Sequence, residues 1–547
     1  MNDKPQPDTK ENPAMKHFSL KKTLPCAAVL LAAASLLPSC TEKKDAESVE
    51  PLFAPMLESM EANFRMPQWY EDAKFGIFTH WGPQCQPESG DWYARNMYIP
   101  NHWHFNRHKE KYGDQKTFGF KDVIHEWKGD KWDPQELAQL FKSMGAKYVV
   151  SMANHHDNLD LWDSKYQEWN SVRVGPKRDI IGEWSKAVRG AGLHWGVSVH
   201  ASHAWNWYET SRDFDGMLTK EDGAGTWWGE MGLDPQELYA QQHEPSKDSG
   251  HWNWDPNIVP PPSEAYRTKF MKRHKQLIDD YLPEVLYYDD TVVPFYPTFN
   301  DGVELTTYFY NKMYQLNHGK QEVVACGKVL NEEQRKGMVW DIECGVPNEI
   351  VKPHWQTDTC IGNWHYDRGI YDRNGYKTPE TVVRMLIDIV SKGGNLLLSV
   401  PIRGNGEVDE KVRATCAGVG AWMKINGEGI YGTETWKKYG AGPQFEDAGV
   451  ALRDQGFNEG QGKAATTEDL RFTTKNGKLY VFTLLVPKPG APVVVTDLDA
   501  PVKNVKLFGS EKPVKWTCEN GVLTITAPDA DPNLKISLCY EVEFERK

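Results

Sequence analysis

The chain has 547 residues, room for one large domain and a smaller one or for three ordinary ones. A hydrophobic share of 39% with 12% aromatics excludes a disordered polymer, and a net charge of −13 without any basic stripe excludes nucleic acid as an expected partner. Twenty-two tryptophans supply flat apolar faces that serve core packing and stacking on sugar rings alike.

In chain order, the first 55 residues are not expected to be fold. Lys16, His17, Lys21 and Lys22 precede an apolar run from Leu24 to Leu37, which closes on Pro38-Ser39-Cys40. A basic region, a short apolar run and a small residue before a cysteine read as an export signal, and the run is too short for a membrane span. The Cys40 context resembles a bacterial lipobox, so residues 1–40 are expected to be a leader, with Met15 as the effective start. A plain cleaved signal with an incidental Cys40 is the alternative. Residues 41–55 are expected to be a flexible, charged tether. The only membrane association implied is a lipid anchor at Cys40, on an exported periplasmic or cell-surface bacterial lipoprotein. Beyond the leader, seven cysteines show no CxxC spacing, which argues against a zinc site. Cys518 and Cys539 are the one pair considered for a disulfide.

From residue 74 onward apolar strands alternate with helical patterns. Strands are expected over Lys74–Gly82, Ala146–Asp157, Gly192–Ser202, Val285–Tyr288, Glu322–Val329, Gly337–Glu343 and Asn395–Val400. Helices are expected over Pro134–Gly145, Arg178–Ala191, Glu264–Tyr281 and Thr378–Lys392. Strand-helix alternation implies a parallel sheet covered by helices, and about seven or eight units fit a closed (β/α)₈ barrel over residues 56–437. No GxGxxG follows a strand, so a dinucleotide fold is not expected. From 438 to 547 short alternating runs and the turn dipeptides Asn476-Gly477 and Asn520-Gly521 predict an all-β sandwich.

Polar and aromatic groups gather where these strands end: His80-Trp81, His155-His156-Asp157, His200 with His203 and Trp205, Asp289-Asp290, and Asp341 with Glu343. In a barrel they open on one mouth. Histidines with carboxylates suit a hydrolytic metal, and a carboxylate pair suits glycoside cleavage. Adjacent histidines on a regular strand face opposite ways, so His155 and His156 cannot both ligate one metal from such a strand. The metal reading is therefore disfavoured.

The runs WYEDAKFGIFTHWG (69–82), DWYARNM (91–97), AKYVVSMANHHDNLDLWDSKYQEWNSVRVGPKRD (146–179), PEVLYYDD (283–290), SKGGNLLLSVPIRGNGEV (391–408) and WMKINGEGIYGTETW (422–436) together resemble glycoside hydrolase family 29, the α-L-fucosidases. That resemblance covers about residues 60–437 in collinear order. It implies a retaining, exo-acting hydrolase of fucosylated oligosaccharides or glycoconjugates, working through a covalent fucosyl-enzyme without cofactor or metal. The implied nucleophile is Asp289, and the implied acid/base is Glu343, with Glu349 and then Asp341 as competitors. Implied sugar contacts are His80, Trp92, His155 and His156, with Asp91 standing where the family carries a glutamate. Tyr287 replaces the family's tryptophan and is expected to keep an aromatic wall against the sugar, Gln356 stands where many members have glutamate, and His200 with Trp205 are expected to line the pocket in place of a tyrosine pair. These replacements keep two alternatives open: a retaining α-L-galactosidase, since a pocket rejects an added hydroxyl weakly, and an inert carbohydrate-binding relative.

Overall fold

The computed structural model describes residues 49–241, 245–246, 259–447, 449–452 and 456–545. The expected leader, Cys40 and the first part of the tether lie outside these residues. Eight parallel strands close a barrel in sequence order: β1 (Phe75–Thr79), β2 (Tyr148–Met152), β3 (His194–Val199), β4 (Val285–Tyr288), β5 (Val324–Gly327), β6 (Val339–Glu343), β7 (Trp355–Cys360) and β8 (Gly394–Ser399). Closure is made by β8 pairing with β1, Phe75 opposite Leu396 and Ile77 opposite Leu398. Strands buried on both faces read as continuous apolar runs, and Tyr148-Val149-Val150 and Leu396-Leu397-Leu398 do so.

Several covering helices begin at a side-chain cap. Asp133 accepts from Glu136 N before Pro134–Ser143, Ser263 accepts from Tyr266 N before Glu264–Tyr281, and Thr378 accepts from Thr381 N before Pro379–Ser391. Glu264–Tyr281 ends on Leu282 in the left-handed region, with Pro283 next, and this sharp stop feeds β4.

The strand missing from the sequence reading is β7. Its run Trp-Gln-Thr-Asp-Thr-Cys holds four polar residues in a row, yet the whole strand is buried. Those polar residues are satisfied inside the barrel. Gln356 Oε1 accepts from the Tyr70 and Tyr148 hydroxyls, each at 2.7 Å, and Gln356 Nε2 donates to Asp341 Oδ1 at 2.7 Å. The Tyr287 hydroxyl lies 2.9 Å from both Asp341 Oδ2 and Asp358 Oδ2. A polar column therefore runs up the barrel axis from floor to mouth. Gly76 makes room for it, since a Cβ there would sit 2.3 Å from the Tyr148 ring.

The C-terminal region is a sandwich. A five-stranded antiparallel sheet is ordered β13 (Val502–Leu507), β16 (Cys539–Phe544), β11 (Lys478–Thr483), β10 (Leu470–Lys475), β9 (Glu434–Ala441). A three-stranded sheet is ordered β12 (Pro492–Val495), β15 (Val522–Thr526), β14 (Trp516–Glu519). Val481 and Tyr540 of the first share one core with Val493 and Ile525 of the second. Asn476-Gly477 and Asn520-Gly521 both carry positive φ at the two central positions, as two-residue type I′ hairpins require.

Three expectations need correction. β9 starts at Glu434, so the sandwich begins before 438. The described part of the expected tether is docked: Phe53 is buried against Tyr310 at 5.0 Å, and its N–H and that of Leu52 both donate to Asn311 Oδ1. Cys518 and Cys539 stand on opposite sheets and are unbonded, as are the other described cysteines.

Candidate active site

The barrel delivers one polar group after another at the C-terminal ends of its strands. His80 follows β1, His200 follows β3, Asp289 follows β4 and Lys328 follows β5 at the first residue past each strand or the next to it; Glu343 is the last residue of β6. Because β2 stops at Met152, His155 and His156 sit in the turn beyond it, freed from strand alternation, and both reach the same cavity. The cavity is ≈ 350 Å³ and is lined also by Asp91, Trp92, Asp290, Trp364 and Phe457.

Asp289 is its electrostatic centre. Lys328 Nζ donates to Asp289 Oδ1 at 2.8 Å and to Glu343 Oε2 at 2.6 Å. His80 Nε2 is 3.4 Å from Asp289 Oδ2, and His200 Nδ1 is 3.2 Å from the same oxygen, within ionic reach but off the axis of a hydrogen bond. Burial by itself would raise the Asp289 carboxyl; His200 and Lys328, with the His80 and His200 contacts, outweigh it and hold the group well below the usual carboxylate range. Burial would likewise depress Lys328, but Asp289, Asp358, Glu343 and Asp341 surround it and keep it firmly charged. Asp290, one residue on, faces Ser202 and His203 Nε2 (3.1 Å), and burial pushes it up to about 6.

Burial depresses His80 against the pull of Asp289, and it depresses His155 and His156 far more because imidazoles crowd each other there. These rings are neutral at pH 7, so each carries one N–H donor and one acceptor nitrogen, some of them already engaged by protein groups. Gln84 Nε2 stands 3.2 Å from His155 Nδ1, which leaves the His155 hydrogen on Nε2. Asp91 Oδ1 takes a 2.7 Å bond from His365 Nδ1, and Trp92 holds a left-handed φ of 59° to reach the rim. Among the described residues, His80, His155 and Asp289, or Asp91, His155 and His365, bring candidate cation-ligand atoms within 4.8 Å of one another.

The sequence model of the family described as Alpha-L-fucosidase matches residues 40–428, through the whole barrel. The chain belongs to the α-L-fucosidase family. An α-L-fucosidase of Branchiostoma floridae is 26% identical over 92% of this chain and 96% of its own. The plasma α-L-fucosidase of Homo sapiens is 25% identical over 86% and 88%. Among solved structures, Thermotoga maritima α-fucosidase in complex with fucose superposes with a TM-score of 0.65 at 27% identity, covering 90% of this chain and all of that one.

Within this α-L-fucosidase framework the cavity collects Asp289, Glu343, His80, Asp91, Trp92, His155, His156 and His200 from the sequence expectations. It does not collect Tyr287 or Trp205. Tyr287 is buried one layer below, with Lys328 Nζ 5.8 Å above its ring, because its place on β4 points it into the barrel and onto Asp341 and Asp358. Trp205 is buried in the short helix Ala204–Trp207 and does not line the cavity. Of the competitors for acid/base, Glu349 is exposed outside the cavity and Asp341 is fully buried beneath it. Sequence reasoning missed Lys328, Trp364, His365 and Phe457. Lys328 carried a signal, as a lone lysine closing an apolar strand. Trp364 and His365 follow β7, so they were lost with it. Phe457 comes from the C-terminal region, for which no reading of barrel periodicity gives a hint.

Proposed function

We propose that this chain is a retaining, exo-acting α-L-fucosidase that removes terminal α-L-fucosyl groups from oligosaccharides or glycoconjugates through a covalent fucosyl-enzyme. The observation that carries the reading is the ammonium of Lys328 shared by two mouth carboxylates. With Asp289 Oδ1 and Glu343 Oε2 at 2.8 and 2.6 Å from one nitrogen, those oxygens can be no farther apart than the sum of the two distances. That bound on the nearest oxygens is compatible with the roughly 5–5.5 Å carboxyl spacing of double-displacement glycosidases.

Asp289, held ionised, attacks the anomeric carbon, while Glu343 gives a proton to the departing oxygen. The bond from sugar to aglycone breaks, and an ester to Asp289 forms. Once Asp289 is esterified its charge is gone, and Lys328 keeps Glu343 as its close partner at the mouth. Glu343 then takes a proton from water, which attacks the same carbon and releases L-fucose with the starting configuration. The neutral imidazoles of His80, His155 and His156 orient hydroxyls without adding a positive charge that would oppose the oxocarbenium-like transition state. Export with lipid attachment at Cys40 belongs to the same proposal and rests on the Ser39-Cys40 junction that closes the apolar run.

Turnover of a panel of aryl glycosides tests the activity. The α-L-fucoside is expected to be the best substrate, ahead of the α-L-galactoside, and Asp289→Ala is expected to lose several orders of magnitude in kcat while unfolding at the parent temperature. Equal turnover by Asp289→Ala, or preference for the galactoside, would reject the reading.

A further inference from the structure

Between β9 and β10, residues 456–459 of the C-terminal region run as a strap beside the end of β6 at the barrel mouth. Phe457 N donates to Glu343 O at 2.8 Å, and Glu459 N to Cys344 O at 2.9 Å. Asn458 Oδ1 accepts from Val346 N at 2.9 Å, and its Nδ2 donates to Val346 O at 3.0 Å. Glu459 is clamped by Thr359 Oγ1 at 2.6 Å and Lys377 Nζ at 2.7 Å. The approach is close: at Gly456 a Cβ would lie 2.2 Å from Glu343 O, so only glycine lets the strap dock there.

This clamped segment lifts one large apolar side chain into solvent at the cavity rim. Phe457 is 46% exposed and lines the cavity with Glu343 and Trp364, on a backbone with φ of 54° that a bulky residue adopts only where its surroundings impose it. Packing does not account for this, because an exposed ring gains little from burial.

Position supplies the missing reason. An acid must stand beside the oxygen that leaves, so a side chain borne by the residue hydrogen-bonded to Glu343 lies on the leaving-group side of the sugar. We propose that Phe457 is the platform for the saccharide to which the fucosyl group is attached, its ring taking the apolar C–H face of that sugar. The C-terminal region thereby sets aglycone preference for a barrel that holds the fucose. This rests on the α-L-fucosidase reading above.

The test compares a substrate that has an aglycone sugar with one that has none. Kinetics of the full-length protein, Phe457→Ala and Phe457→Tyr are measured on α-L-fucosyl fluoride and on a set of α-L-fucosyl disaccharides of different linkage. Phe457→Ala is expected to lose about five- to tenfold more kcat/KM on the preferred disaccharide than on the fluoride, the size of one aromatic contact, mostly through KM. Phe457→Tyr is expected to restore the disaccharide activity. An equal loss on both substrates would show that the strap acts only by placing Glu343, and no loss on the disaccharide would show that the ring touches nothing; either overturns the proposal. Failure of the unaltered protein to hydrolyse the fluoride would instead reject the fucosidase reading.

Discussion

Lys328 binds the two carboxylates that must do opposite things, one staying ionised and the other cycling its proton. Removing its charge therefore has a predictable sign. Asp289 lies well below the usual range because His200 and Lys328 overcome its burial. Without Lys328 its carboxyl must rise, and since only the carboxylate attacks, the acidic limb of kcat/KM must move to higher pH. Lys328→Met is expected to lose at least about a hundredfold in kcat/KM, the scale of a lost electrostatic contact in a closed site, with that limb displaced upward. Lys328→Arg is expected to retain the limb near its parent position. A Lys328→Met pH profile that merely scales down, with no displacement, would show that the lysine is structural. At this scale the sequence was readable where a residue ends an apolar strand, as His80, His200, Asp289 and Glu343 do. Tyr287 misled because a strand-end aromatic reads the same whether it lines a cavity or plugs the barrel below it.

Among elements, β7 shows why period alone was insufficient. Apolar runs announced β2, β4 and β8, because their own residues are mostly aliphatic or aromatic. In β7, Gln356 and Asp358 face inward onto Tyr70, Tyr148, Asp341 and Tyr287, so its burial is hidden behind polar letters. Only the partners, which come from remote parts of the chain, make those letters core-like. The physical stake is large: Gln356→Leu removes the amide partner of the Tyr70 and Tyr148 hydroxyls and of one Asp341 oxygen. At about 1–3 kcal/mol for each buried polar group left unsatisfied, the variant is expected to be destabilised by roughly 3 kcal/mol or more in urea unfolding. A change below about 0.5 kcal/mol, the scatter of surface substitutions, would mean that the column contributes no net stability. The hairpins were legible for the opposite reason, since Asn-Gly needs only its own two φ angles.

For the whole molecule, barrel and sandwich were both legible, but their interplay was not. The contact of Phe457, Asn458 and Glu459 with β6 joins residues more than a hundred positions apart, and no local pattern records it. Attachment is a second property at this scale. Two acyl chains hold a protein to a membrane where one does not, so in the exporting cell Cys40→Ala is expected to move fucosidase activity from the membrane pellet to the soluble fraction. Activity that is already soluble with Cys40 in place would remove the anchor.

The central claim is a covalent sugar on Asp289. A 2-deoxy-2-fluoro-α-L-fucosyl fluoride tests it: fluorine at C2 destabilises the oxocarbenium-like transition states of both steps, while the good fluoride leaving group speeds only the first, so an intermediate accumulates. Peptide mapping by mass spectrometry after inactivation is expected to place one fluorofucosyl group on the peptide bearing Asp289, and to find none in Asp289→Ala. A group on another carboxylate, or hydrolysis of the parent substrate with β-L-fucose as the first product and no adduct formed, would contradict the account.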